Sequence, residues 1–209
     1  MAGQDDMDQK EKTRRKILQV ARRIFARSGF EGASVDAIVR ASGLSKGALY
    51  WHFPGKLDLY REIMQEEMRV IMEHFRIPEA MKGNTDPVSF LIEKGRSLID
   101  DLQANPERHM LWVDLTVVAQ RGDSSARTLA GEIIDTLIDS ILPELDAFFP
   151  MDVADDGFRS SKDRLLCLTH TFAGFVVNLG LRLKPDDAKR YWETIVRMLL
   201  DRGNNHEVS

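Results

Sequence analysis

Residues 34–52, reading SVDAIVRASGLSKGALYWH, constrain the fold more than any other stretch of this chain. They read as two short helices joined by a tight turn. Ser34 is a favourable N-cap for the first helix, and Asp36 in its opening turn suits the positive end of the helix dipole. Ile38 and Val39 give that helix an inward face, while Arg40 points elsewhere. Gly43 falls where the chain must turn sharply, a position that favours a residue tolerating positive φ. Leu44 plugs the turn, Ser45 caps again, and a second helix is expected over 46–53. Leu49 and Phe53, four apart, share one face and anchor that helix to a core. Lys46, Gly47, Ala48, Tyr50, Trp51 and His52 are left to face outward.

Those outward residues fit a nucleic-acid duplex. Gly47 and Ala48 keep the front of the helix slim, so that its backbone can approach a groove wall. The N-terminal N–H groups attract an anion, and Lys46 adds charge at the same end. Tyr50 can donate to a phosphate, and Trp51 and His52 offer flat, partly polar surface. The plainer alternative is a pair of amphipathic helices with aromatic residues at the edge of an ordinary core. Charge separates the two readings. The whole chain carries a net charge of −4, yet residues 10–56 hold eleven Lys and Arg against three acids, or +8, which leaves −12 on the remainder. A basic end on an acidic body is what a DNA-binding head on a different second domain should show.

From about residue 14 to 59 the chain resembles the DNA-binding domain of the TetR family of transcriptional regulators. The residues that carry the resemblance are ILQVARRIFARSGFEGASV, DAIVRASGLSKGALYWHF and the tail PGKLDLY, and LYWHF is closest to members that regulate multidrug efflux. The resemblance implies DNA-contacting roles for Ser34, Ser45, Lys46, Gly47, Ala48, Tyr50, Trp51 and His52, and a phosphate contact from Lys56 at the start of the fourth helix. It also implies a homodimer bound to a palindromic operator, repression, and release by a small-molecule effector.

The fold class expected is all-α, with about nine helices. A helix-turn-helix domain over 1–55 begins with a flexible arm over 1–11, and a helical ligand-binding and dimerisation domain follows over 56–209. The first helix is expected over 12–28, with Ile17, Ala21, Ile24 and Phe25 as its buried stripe and Arg14, Arg15, Arg22 and Arg23 on the other face. Pro54 and Gly55 stop the recognition helix. The fourth helix, over 56–75, links the two domains. Breakers mark a loop over 77–86 and another over 150–157. Later helices are expected over 87–103, 107–120, 124–149 with a kink at Pro143, 161–183 and 186–202.

The eighth helix is apolar nearly all round and must be covered on both sides. We therefore expect the last two helices to pair with their copies in a second subunit through Leu168, Phe175, Trp192, Ile195 and Leu199. Flexible and flat apolar side chains suit an adaptable pocket. The candidate effector residues are Met68, Met72, Met110, Trp112, Thr116, His170, Phe172 and Asn178, for an apolar or aromatic ligand. The alternative is that the Met and aromatic side chains are plain core, the commoner case, and that the polar ones are capped internally or face solvent.

Enzyme signatures are absent: there is no GxGxxG, Walker loop, GxSxG or HExxH. The five histidines are scattered, no two of them three or four residues apart, so neither a metal site nor another cofactor is expected. One cysteine, Cys167, excludes an intrachain disulfide and fits a reducing compartment. The polar N-terminus lacks a hydrophobic leader and no apolar run would span a bilayer, so a cytoplasmic protein without a membrane partner is expected. The competing reading is a helical ligand-binding or scaffold protein whose helix-turn-helix makes protein contacts only.

Overall fold

Residues 2–11, expected as a flexible arm, are helical in the structure, a computed structural model that describes residues 2–76, 86–148 and 161–200. Helix α1 runs Ala2–Gly32. No breaker lies between Gly3 and Ser28, and two pairs one turn apart brace this segment: Asp8 with Lys12 at 2.7 Å and Glu11 with Arg15 at 2.9 Å. A charge-rich segment without an apolar stripe reads as an arm, but these pairs serve a helix equally well. Near its end α1 breaks at Gly29, whose φ of 69° lies in the left-handed region.

The order continues α2 (Val35–Ser42), α3 (Lys46–His52), α4 (Lys56–Phe75), α5 (Pro87–Ala104), α6 (Pro106–Arg121), α7 (Ser124–Phe148), α8 (Ser161–Asn178) and α9 (Pro185–Leu200). Among the described residues there is no strand, only an isolated bridge between Leu179 and Leu183. The all-α expectation holds. Of the loops expected over 77–86 and 150–157, all but Asp86, the N-cap of α5, lies outside the described residues. Pro143 stands inside α7.

One helix ends earlier than its apolar run suggests. Helix α8 stops at Asn178 rather than at residue 183, because Gly180 takes φ 82° and turns the chain back. The N–H groups of Leu181, Arg182 and Leu183 then all converge on the Asn178 carbonyl. Gly180, inside the span expected for this helix, is its stop.

The chain packs as two compact units, Met1–Met68 with Pro106–Ile133, and Arg69–Asn105 with Ile134–Ser209. In the first unit Ile17, Ala21 and Phe25 of α1, Ile38 of α2, Leu49 of α3, and Leu59, Tyr60, Ile63 and Met64 of α4 are fully buried with Leu111 of α6. Glu67 of α4, 1% exposed, takes the guanidiniums of both Arg22 on α1 and Arg108 on α6. In the second unit α5 packs on α9 and α8 on α9. Trp192 lies over Gly95, where any Cβ would overlap the indole, and its Nε1 donates to the Leu91 carbonyl at 2.9 Å. Arg164 is buried and donates to the Leu199 carbonyl at 2.8 Å, placing a cation on the C-terminal end of α9.

Candidate nucleic-acid interface

The helix pair is built by its caps. Ser34 Oγ accepts the Ala37 N–H at 3.1 Å, and Ser45 Oγ accepts the Ala48 N–H at 3.1 Å. Between them Gly43 takes φ 66°, and its N–H reaches the carbonyls of Val39 and Arg40. Ser42 reinforces the turn from inside, donating to the Val39 carbonyl at 3.0 Å while accepting from Leu44 N–H at 3.4 Å. A Cβ at position 43 would meet nothing within 4 Å, so the strain of a side chain there is conformational alone. Gly43→Ala is expected to cost about 1–2 kcal/mol, the usual penalty for a left-handed L-residue, measured by thermal unfolding. No change in the midpoint would show that the turn relaxes freely.

With the turn fixed, α3 presents two faces. Leu49 and Phe53 are buried, while Tyr50 is exposed and Trp51 is 61% exposed. Gly47 stands open, Ala48 is half-buried, and His52 is half-buried with its ring edge-on to Trp51 at 4.6 Å. Burial holds His52 below the usual histidine range, with further lowering by the cations of Arg14 and Lys10. Lys46 pairs with Asp36 at 2.8 Å, which joins the first turns of α3 and α2. That hydrogen bond lowers the Asp36 carboxyl and raises the Lys46 ammonium from their ordinary ranges.

Lys56 occupies a place the sequence does not reveal. Its Nζ donates to the carbonyls of Phe30 at 2.7 Å and Ala33 at 3.2 Å, and stands 4.3 Å from the centre of the Phe30 ring. The ammonium thus ties the start of α4 to the chain leaving α1, with one N–H left over. Beside it, Asp114 of α6 accepts the Phe30 N–H at 2.9 Å. A Cβ at Gly29 would come within 2.7 Å of that carboxylate. Tyr60 packs against Phe25 and Phe30, and its buried hydroxyl lies against Asp114 without closing a full hydrogen bond. Burial and then the Asp114 charge hold the phenol far above its usual range. Asp114 and Tyr60 carry no sequence-local signal; the hydrogen bond from Phe30 to Asp114 bridges 84 residues.

The candidate effector residues divide between the units. Met68, Met110, Trp112 and Thr116 belong to the first, and Met72, His170, Phe172 and Asn178 to the second. Met68 is buried, Met72 half-buried, and Met110 exposed. Three of the polar candidates are satisfied within their own helix: Thr116 on the Val113 carbonyl, His170 on Leu166 and Asn178 on Gly174. Trp112 differs, with an indole N–H that is buried without an acceptor. Phe172 lies edge-on to Trp192 at 5.2 Å.

Two of the residues expected at a subunit interface are core of their own chain: Leu168 of α8 and Trp192 of α9 are each 3% exposed, with α9 packed on both α5 and α8. Phe175, Ile195 and Leu199 are half-buried. The apolar side chains left open on this pair of helices and the turn between them are Val177, Leu181, Tyr191 and Met198. No helix among the described residues is long and apolar enough to cross a membrane, and no group of three or more His, Cys, Asp or Glu there could hold a metal ion.

Comparison with known proteins places this geometry. Residues 17–63 match the family profile described as bacterial regulatory proteins, tetR family. Over 101 residues the chain is 34% identical to the HTH-type transcriptional regulator AcrR of Shigella flexneri, covering 48% of this chain and 46% of that one. Over 112 residues it is 32% identical to the HTH-type transcriptional repressor AcnR of Corynebacterium glutamicum, covering 51% and 60%. These matches thus span about half the length of the curated relatives. Among solved structures, GusR of Salmonella enterica superposes with a TM-score of 0.69 at 25% identity, covering 90% of this chain and 95% of that one.

Proposed function

The chain carries the N-terminal helix-turn-helix domain of the TetR family, and from that premise we propose that it is a DNA-binding transcriptional regulator acting as a homodimer. The carrying observation is the division of α3: Leu49 and Phe53 lock the helix to the core, while Lys46, Gly47, Tyr50 and Trp51 stand open. Residues 45–53 of each subunit enter successive major grooves about 34–36 Å apart on a near-palindromic operator. Ser34 and Ser45 shape the backbone that meets the duplex, and Lys46 exchanges Asp36 for a phosphate. Tyr50, Trp51 and His52 flank the groove, Ala48 lets the helix seat closely, and Lys56 offers its remaining N–H to the backbone. Repression is the sense of regulation we favour, in line with the relative named a repressor.

The second subunit covers the open stripe of Val177, Leu181, Tyr191 and Met198. Because a two-fold interface uses each residue twice, Leu181→Asp or Met198→Lys is expected to raise the dimer dissociation constant at least about tenfold. Sedimentation over a concentration series reads this directly, and an unchanged dimer would place the interface elsewhere. An apolar or aromatic effector completes the switch, acting through a differential affinity for two states of about 1–3 kcal/mol. The buried, unpaired Trp112 N–H favours an effector bearing a hydrogen-bond acceptor.

Selection of bound sequences from random duplex DNA by the purified protein tests the core of this reading. A palindromic motif is expected. Binding without sequence preference would leave a non-specific role, and no enrichment by folded, ligand-free protein would favour the scaffold alternative.

A further inference from the structure

The first turns of α1 extend past the core: residues 7–12 are all exposed. Their charges are not equivalent. Lys12 is matched by Asp8 and Arg15 by Glu11, each one turn away along the same helix. Arg14, further on, is held by Glu62 and stacks on Phe53, its guanidinium carbon 5.4 Å from the ring centre. Lys10 has no carboxylate partner among the described residues. Its ammonium instead stands 4.1 Å from the centre of the Trp51 ring, across from the exposed end of α3. Held over an indole face, it has a fixed place and its donors remain unspent.

We propose that Lys10 is a DNA-contacting residue, and that α1 therefore reaches the duplex alongside the helix pair. The inference rests on the DNA-binding reading above. A duplex that meets Trp51 cannot avoid an ammonium 4.1 Å from its ring. The group it meets there is a phosphate rather than a base edge. Lys10 sits beyond the end of the recognition helix, and an ammonium is a point charge without the planar fork that reads bases. The local field agrees, since the cations of Arg14 and Lys10 both act on His52 beside Trp51. Fixing the ammonium before binding also reduces the ordering needed at the encounter.

The test is a salt titration of Lys10→Met and Lys10→Arg on two duplexes, the one recovered by selection and an unrelated one of equal length. Met keeps the stem that packs on Trp51 and removes the charge. We expect Lys10→Met to weaken both duplexes by the same factor, about tenfold near 0.1 M salt. The slope of log affinity against log salt should shrink by about 0.9 for each subunit's lost contact. Lys10→Arg should bind as the unaltered protein does, and all three should melt together, because the side chain is exposed. Equal affinity and slope for Lys10→Met would overturn the proposal. So would equal losses in both variants without a change of slope, the signature of packing on Trp51, or weakening of the selected duplex alone, the signature of base reading. If the unaltered protein binds neither duplex, the DNA-binding reading itself fails and takes this inference with it.

Discussion

Glu67→Ala is expected to lower the thermal midpoint by roughly 6–12 °C, from about 3 kcal/mol lost on breaking a buried charge pair in a chain of this size. Glu67 is 1% exposed, and its two carboxylate oxygens take Arg22 from α1 and Arg108 from α6. Arg22 reaches Glu66 as well, at 2.9 Å, so the cluster fastens three helices of one unit through a single side chain of α4. Alanine removes the carboxylate that bridges the two guanidiniums, leaving Arg22 with Glu66, on ground where water solvates the cations poorly. Glutamine retains the shape and one acceptor oxygen and should cost about half as much. Thermal and urea unfolding of both variants decide the matter. A loss below about 1 kcal/mol would give the cluster no more weight than a surface ion pair.

Asp114→Ala is the second large effect, expected to cost about 2 kcal/mol by stranding the Phe30 N–H beside the α1 break. The Asn variant, which still offers an oxygen to that N–H, should lose under about 1 kcal/mol. The distinguishing readout is local: hydrogen exchange at the Phe30 amide should accelerate in the Ala variant and stay near native in the Asn variant. The pH dependence has a definite sign. Burial raises the Asp114 carboxyl from its ordinary range, against the lowering by Tyr60 and the Phe30 amide. The folded chain therefore holds this proton at pH values where the unfolded chain has released it. The stability due to this proton is fully present below the unfolded value of about 3.9 and declines as pH rises through the raised folded value. Melting temperatures of the unaltered protein, measured against Asp114→Asn, should fall across that window and then level. A difference that grew with pH would mean that the carboxylate is favoured in the fold.

The helix pair was legible because every feature that makes it is local. Ser34, Gly43 and Ser45 lie within a few residues of the groups they cap, and Leu49 and Phe53 are spaced by one helical turn. Longer connections were not legible. Lys56 finds its carbonyls 26 and 23 residues back in the chain, and nothing in the pattern around either end announces the other. The resemblance directed that lysine outward, whereas its ammonium spends two donors inward. At α8 the leucines Leu179, Leu181 and Leu183 carried the apolar count past Asn178 and disguised a turn, since hydrophobicity does not record backbone direction. The interface residues show the same confusion: Leu168 and Trp192 satisfy core spacing because they belong to their own chain's core. The open side chains there are Val177, Leu181, Tyr191 and Met198, none of them among the five expected at the interface.

The three tryptophans occupy three different settings, and this makes the protein its own optical instrument. Trp51 lies in solvent on α3, Trp112 is partly enclosed in the same unit, and Trp192 is sealed in the other. An aqueous quencher such as iodide therefore addresses Trp51 almost alone. Loss of that quenching on adding duplex would report occupancy of the recognition helix without any attached dye. The emission of Trp112 and Trp192 would meanwhile follow the two units separately.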